Sequence, residues 1–222
     1  MRLRLRLRRI NDPVSAYTHL LGALLSIVGL VLLIVKASHP AKPWHIVSFS
    51  IYGSGMLLMY TASTVYHMIG SGTAENGILR KIDHMMIFFF IAASYTPICL
   101  VAIRGGWGWS LFGIIWGLAL VGFVLKAIRC NLPRRLNALI YVLMGWMALV
   151  ALYPLVIKLP AAGLFWLVAG GIAYTVGAII YSRKYPDPWP NVFGFHEIFH
   201  VFILLGSACH FWLMYRYVMV FK

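Results

Sequence analysis

Residues 16–35 read AYTHLLGALLSIVGLVLLIV, twenty residues without one Lys, Arg, Asp or Glu. An α-helix rises ~1.5 Å per residue, so this run covers about 30 Å, the thickness of a bilayer's hydrocarbon core. A helix also satisfies its own backbone polar groups, which is the condition for crossing lipid. Six further apolar runs follow, at roughly His45–Met68, Asp83–Ile103, Trp107–Leu125, Leu136–Ile157, Ala162–Ser182 and Phe195–Val218. The stretches between them carry breakers: His39-Pro40 through Pro43, Gly70-Ser71-Gly72, Gly105-Gly106, Asn131-Leu132-Pro133, Pro160, and Pro186 through Asn191. The expectation is an all-α bundle of seven transmembrane helices. It divides into a basic N-terminal arm (residues 1–15), the transmembrane domain (16–218) and a short C-terminal tail (219–222).

Composition agrees. Hydrophobic residues make up 62% of the 222 and charged ones 11%, with a mean hydropathy of +0.85. A water-soluble domain carries roughly 25% charged residues. The formal net charge is +14, from 19 Lys+Arg against 5 Asp+Glu. In a soluble protein that excess points to nucleic acid. Here the cations sit between apolar runs, where they act as topology signals and contacts for anionic headgroups, so membrane lipids are the expected partners and nucleic acid is not. Cys99, Cys130 and Cys209 form no CxxC pair, which argues against a disulfide framework or a cysteine metal site.

Orientation follows from the same charges. Arg2, Arg4, Arg6, Arg8 and Arg9, then Arg80 and Lys81, then Lys126, Arg129, Arg134 and Arg135, then Arg183 and Lys184 fall on one side, thirteen in all; Lys36, Lys42, Arg104, Lys158, Arg216 and Lys222 fall on the other. The positive-inside rule puts the thirteen in the cytoplasm, with the N-terminus inside and the C-terminus outside. The basic arm followed by an apolar run imitates a secretory signal, but the run exceeds a signal core of about 7–15 residues and is expected to remain as a helix. The arm itself, alternating Arg and Leu, is expected to lie on anionic headgroups.

Ionisable residues within membrane spans are costly and become functional candidates. Ser63 and His67 lie near the end of the second run, Asp83 and His84 begin the third, and His196, Glu197 and His200 begin the seventh. The topology brings all three groups to the cytoplasmic layer. Residues four apart share a helical face, so His196 and His200 can aim both imidazoles at one ion, and His67 can complete a three-histidine set. Three nitrogens with an open fourth position suit a hydrolytic zinc, although imidazole also binds iron, copper and nickel. Asp83 would orient a bound water or take its proton, and Ser63 would hydrogen-bond the water or a substrate oxygen. The competing reading is that these histidines are hydrogen-bonded struts between helices.

The same stretch, His-Glu-Ile-Phe-His, matches HExxH, the metalloprotease motif with Glu as general base, so Glu197 is a second candidate base. His19 opens the first helix in the same layer and is a candidate to support a ligand. His210 lies ~21 Å along the helix from His196 and cannot share the ion. His39 and His45 suggest nothing. Gly113 and Gly117 form a GxxxG, and Gly170, Gly171 and Gly177 line one helix, which close helix packing would explain.

Taken together, Tyr17-Thr18-His19-Leu20-Leu21-Gly22, Ser63-x-x-x-His67, Lys81-Ile82-Asp83-His84, Tyr95-Thr96-Pro97 and His196-x-x-x-His200 with His210 beyond resemble the hemolysin III family, bacterial relatives of the progestin and adiponectin receptors. The similarity covers about residues 12–217. It implies seven helices with the N-terminus inside, in a bacterial plasma membrane. It also implies zinc on His67, His196 and His200, with Ser63 and Asp83 around a bound water. It relates the chain to alkaline ceramidases, which hydrolyse lipid amides, and hence to lipid or energetic homeostasis. Two positions depart from the family's pattern. Members often carry acidic residues where this chain has Ile10-Asn11-Asp12, a difference expected to touch little, and Glu197 between the histidines leaves the proton acceptor open. The leading expectation is a zinc-dependent hydrolase of lipid-like amides or esters. Its alternatives are a non-catalytic sensor with structural zinc and a pore-forming cytolysin. The last is disfavoured, because this chain has too little polar surface for a soluble state.

Overall fold

In the computed structural model the described residues are 12–69, 74–128, 132–190 and 192–221. The basic arm through Asn11, Gly70-Ser71-Gly72, Arg129, Cys130, Asn131, Asn191 and Lys222 lie outside them. The elements are α1 (Pro13–Ser38), α2 (Pro43–Ile69), α3 (Ala74–Pro97), α4 (Gly106–Ala127), α5 (Arg134–Gly145), α6 (Leu152–Lys158), α7 (Ala161–Arg183) and α8 (Phe195–Leu213). They make seven spans long and apolar enough to cross a membrane, α5 and α6 together forming the fifth. Among the described residues there is no β-strand, only isolated bridges in two loops.

Helix boundaries follow the breakers. Pro13 and Pro43 open α1 and α2, where a missing N–H has no intrahelical partner to lose. Gly105, at φ 140°, makes the turn into α4 in a conformation that an L side chain rarely adopts. The third helix starts nine residues earlier than the apolar run suggested, so Asp83 lies more than two turns inside α3 instead of beginning it.

Three spans are not regular throughout, the seventh ending in a π-helical turn, Met214–Val218. Pro97 cannot donate into the α ladder, and the third span continues as a π-helical turn, Ile98–Ala102, closed by Ile103 N–H on the Ile98 carbonyl at 3.0 Å. The fifth span breaks into a 3-10 stretch, Trp146–Ala151, between Gly145 and Pro154. A break at membrane depth needs partners for the freed backbone groups. Tyr95 supplies them: its hydroxyl accepts from the Ala148 N–H at 2.9 Å and donates to the Gly145 carbonyl at 2.5 Å.

The bundle is apolar outside and small-residue inside, as lipid requires. Leu24, Leu25, Val28 and Val31 of α1 are exposed, while Ala16, His19, Gly22, Ala23, Ser26 and Gly29 are buried. Gly22 lets the Tyr60 ring press against the α1 backbone, where an added Cβ would stand 2.7 Å from it. The expectation that the Gly113/Gly117 pair packs a helix does not hold: both meet open space, and on α4 it is Gly108 and Gly122 that are covered. Gly170 and Gly177 do make close approaches, to His210 and Phe202. Packing is dense between α1 and α2, α2 and α3, and α7 and α8, and sparse around α5. The loosely packed α5 therefore borders an internal cavity. At the far end, the Lys42 ammonium holds the tail by donating to the carbonyls of Met219 and Phe221, both at 2.9 Å.

Candidate metal centre

The start of α1, the end of α2 and the start of α8 meet at one end of the bundle. The Asp12 N–H donates to the His67 carbonyl at 3.3 Å, and the Ser15 hydroxyl donates to Glu197 Oε1 at 2.6 Å. His67 lies in the last turn of α2, and His196 and His200 face it from the first turns of α8. One nitrogen from each of the three lies within 4.8 Å of the others. His67 Nε2 and His196 Nε2 are 3.2 Å apart. His67 and His200 are buried and His196 is nearly so.

Hydrogen bonds behind the rings set which nitrogens face one another. His67 Nδ1 is 3.2 Å from Asp12 Oδ2. With that proton directed at the carboxylate, Nε2 of His67 carries its lone pair inward. His200 Nδ1 faces the Thr18 hydroxyl at 3.4 Å and the Ser15 backbone, which likewise turns its Nε2 toward the cluster. Two inward nitrogens at 3.2 Å admit two solutions. Either His196 donates an Nε2–H to His67, the strut, or both lone pairs serve one cation. Nitrogens bound at ~2.0–2.1 Å to one tetrahedral zinc stand about 3.3–3.4 Å apart, so the His67–His196 pair is already near that spacing, with a His200 nitrogen within 4.8 Å of both.

Asp83 reaches the same end from α3. The Ser63 hydroxyl hydrogen-bonds it, and His84 Nδ1 lies 3.6 Å away. Asp83 forms no hydrogen bond to the three clustered imidazoles among the described residues. It shares with them the wall of a cavity of about 940 Å³, which runs from Asp12, His67 and Asp83 inward to Trp146, Tyr174 and His210. Its polar end can hold water beside Asp83, and its apolar depth suits a chain.

Glu197 is arranged otherwise. One oxygen takes the Ser15 hydroxyl and the other accepts the Gly194 N–H at 2.8 Å. It caps the first turn of α8, where the helix dipole favours a carboxylate, and clamps α8 to α1. An HExxH base needs a free oxygen directed at the ion's water, and both are engaged here. His19 stacks on His200, ring centres 3.5 Å apart and 11° from parallel. Both its nitrogens are buried and, among the described residues, have no hydrogen-bond partner. His210 Nε2–H donates to the Leu167 carbonyl at 3.2 Å, far from the cluster.

Asp12 is the residue the sequence reading passed over. It stands where the pattern departs from the family's, yet it is the acid behind His67. The available signal was its position: an acid directly before Pro13, at the start of a span, is in the same layer as the end of the next span.

The family profile described as "Haemolysin-III related" matches residues 7–211. A protein named Hemolysin-3 from Bacillus cereus is 38% identical over 94% of this chain and 92% of its own length. A Hemolysin-3 homolog from Bacillus subtilis (strain 168) is 40% identical over 93% of this chain and 94% of its length. More distantly, the human monocyte to macrophage differentiation factor is 26% identical over 94% of this chain and 84% of its length.

Proposed function

This chain belongs to the haemolysin-III related family of multi-pass membrane proteins, and from that premise we propose that it is a zinc-dependent hydrolase of lipid-like amides or esters, serving membrane lipid homeostasis from the plasma membrane of a bacterium. The observation that carries the reading is the convergence of three imidazoles from α2 and α8 beside a cavity deep enough for an acyl chain. Its basic loops and N-terminus face the cytoplasm, so the site opens on the cytoplasmic side.

His67, His196 and His200 hold the metal. Zinc on three nitrogens supplies Lewis acidity and makes water nucleophilic near neutral pH. Asp83 accepts the proton of the attacking water and returns it to the leaving amine or alcohol. Ser63 holds that carboxyl in place. The apolar walls bind the chain and keep bulk water away from the scissile bond.

A sensor with structural zinc is the second reading, favoured by the ties among α1, α2 and α8 that surround the cluster. A cytolytic role fits less well, since side chains such as Leu24, Val28 and Leu120 leave apolar surface that only lipid covers.

The test is metal analysis of protein purified in mild detergent, with His67→Ala, His196→Ala and Asp83→Asn beside the parent and folding checked for each. About one zinc per chain is expected in the parent and in Asp83→Asn, and none in the histidine variants. Asp83→Asn should lose lipid-amide hydrolysis by about a hundredfold or more. A parent prepared without chelators that holds no metal refutes the centre. Full turnover in Asp83→Asn refutes its role.

A further inference from the structure

Arg134 and Arg135 open α5 side by side and behave differently. Arg135 is exposed, as expected of a basic residue at a span end whose head reaches headgroup water. Arg134 turns inward. Its guanidinium lies 4.7 Å from the centre of the Tyr181 ring and 5.4 Å from that of Phe195. Its Nη1 is buried and, among the described residues, has no hydrogen-bond partner. A buried guanidinium N–H without a protein acceptor is costly, and topology does not require it, since Arg135 already serves that purpose.

Arg134 lines the cavity described above, and so do Arg80 of α3 and Lys126 of α4. Three elements thus bring cations to the wall of one cavity, Lys126 from a buried position and Arg80 from an exposed one. Lys126 is buried, and its ammonium donates to Asn137 Oδ1 at 2.7 Å while Asn137 Nδ2 donates to the Leu132 carbonyl at 3.0 Å. That chain holds the ammonium at the cavity. Among the described residues, neither Arg80 nor Arg134 forms a salt bridge. Asp83, which lines the same cavity, is turned to Ser63 and His84. Like charges gathered in a half-dry wall repel, and a guest anion would remove both that repulsion and the unmade hydrogen bond.

The geometry points to an anion subsite of Arg80, Lys126 and Arg134 that receives the phosphate of a lipid headgroup, with the lipid's chains in the apolar depth of the cavity. Two guanidinium forks and one ammonium match the several oxygens of a phosphate better than the two of a carboxylate. The inference deepens the hydrolase reading and rests on it for the guest being a substrate: the lipid cleaved would be a phospholipid or another phosphate-bearing lipid.

Native mass spectrometry of the full chain in mild detergent tests it, with dioleoylphosphatidylglycerol, dioleoylglycerol and inorganic phosphate as probes. The phosphatidylglycerol should bind more tightly than the diacylglycerol, which has the same chains. Arg134→Gln should weaken that binding about ten- to hundredfold, Arg134→Lys should restore part of it, and Lys158→Gln, at the opposite end, should leave it unchanged. Equal binding of the two lipids, or unchanged binding in Arg134→Gln, overturns the subsite. Displacement of the lipid by millimolar inorganic phosphate overturns the lipid as the source of the anion; no displacement supports it. His67→Ala should retain phosphatidylglycerol binding, so that loss of the metal centre and loss of the anion subsite are read separately.

Discussion

Replacing Asp12 tests whether the cluster is a metal centre through a residue that touches no metal. The Asp12 carboxylate stands 3.2 Å from His67 Nδ1; the His67 side chain is 4% exposed and that of Asp12 49%. An acid behind a metal-binding imidazole typically raises metal affinity about 10–100-fold, by fixing the tautomer and making the ring more basic. A half-exposed carboxylate is partly screened by solvent and salt, which places the effect at the lower end of that range. Asp12→Ala should therefore weaken zinc binding about tenfold, or ~1.4 kcal/mol. Asp12→Asn retains an oxygen that can accept the Nδ1 proton and loses only the charge, so about threefold is expected. The assay is competition with a chromophoric chelator in detergent at neutral pH. Ser15→Ala is the control, since it cuts the α1–α8 clamp at Glu197 without removing a hydrogen bond to His67. A folded Asp12→Ala protein whose zinc Kd stays within about twofold of the parent would refute the reasoning, because the carboxylate would then add nothing to the His67 lone pair as a metal ligand.

Two packing predictions are independent of the metal. Gly22→Ala would put a Cβ 2.7 Å from the Tyr60 ring, which is fully buried and held by its hydroxyl on Ser207 at 2.8 Å; a loss of about 1–3 kcal/mol is expected by thermal unfolding in detergent. Gly113→Ala and Gly117→Ala, which face open space, should change little, and equal losses at all three sites would contradict the packing described. Tyr95→Phe should strip the break in the fifth span of the hydroxyl that bonds both the Ala148 N–H and the Gly145 carbonyl, at a cost of about 1–3 kcal/mol. An unchanged unfolding midpoint in Tyr95→Phe would show that the break is satisfied some other way.

Much of the architecture is legible in the chain because a membrane span is a one-dimensional property. A run such as Ala16–Val35 announces itself by length and by the absence of charge, whatever it later packs against. The irregularities were less legible. Pro97 and the Gly145–Pro154 interval are visible as letters, but whether a proline kinks, ends or merely shifts a helix depends on who satisfies the freed backbone groups. Tyr95 does so from another span. The glycines make the same point from the other side: Gly22 and Gly113 are equivalent as small residues in apolar helices, and only the neighbour across the interface separates them.

By itself the sequence determined the seven spans, their apolar exterior and the one layer that holds the ionisable residues, because hydropathy, breakers and the four-residue face of His196 and His200 are all local. Only the tertiary structure decided how that layer is wired. Asp12 stands behind His67, both Glu197 oxygens are engaged in clamping α8 to α1, and Asp83 faces a cavity shared with inward-turned Arg134. Each of these depends on a distance between residues far apart in the chain, set by how closely the helices approach and which way each is rotated, and spacing along the sequence carries no measure of either.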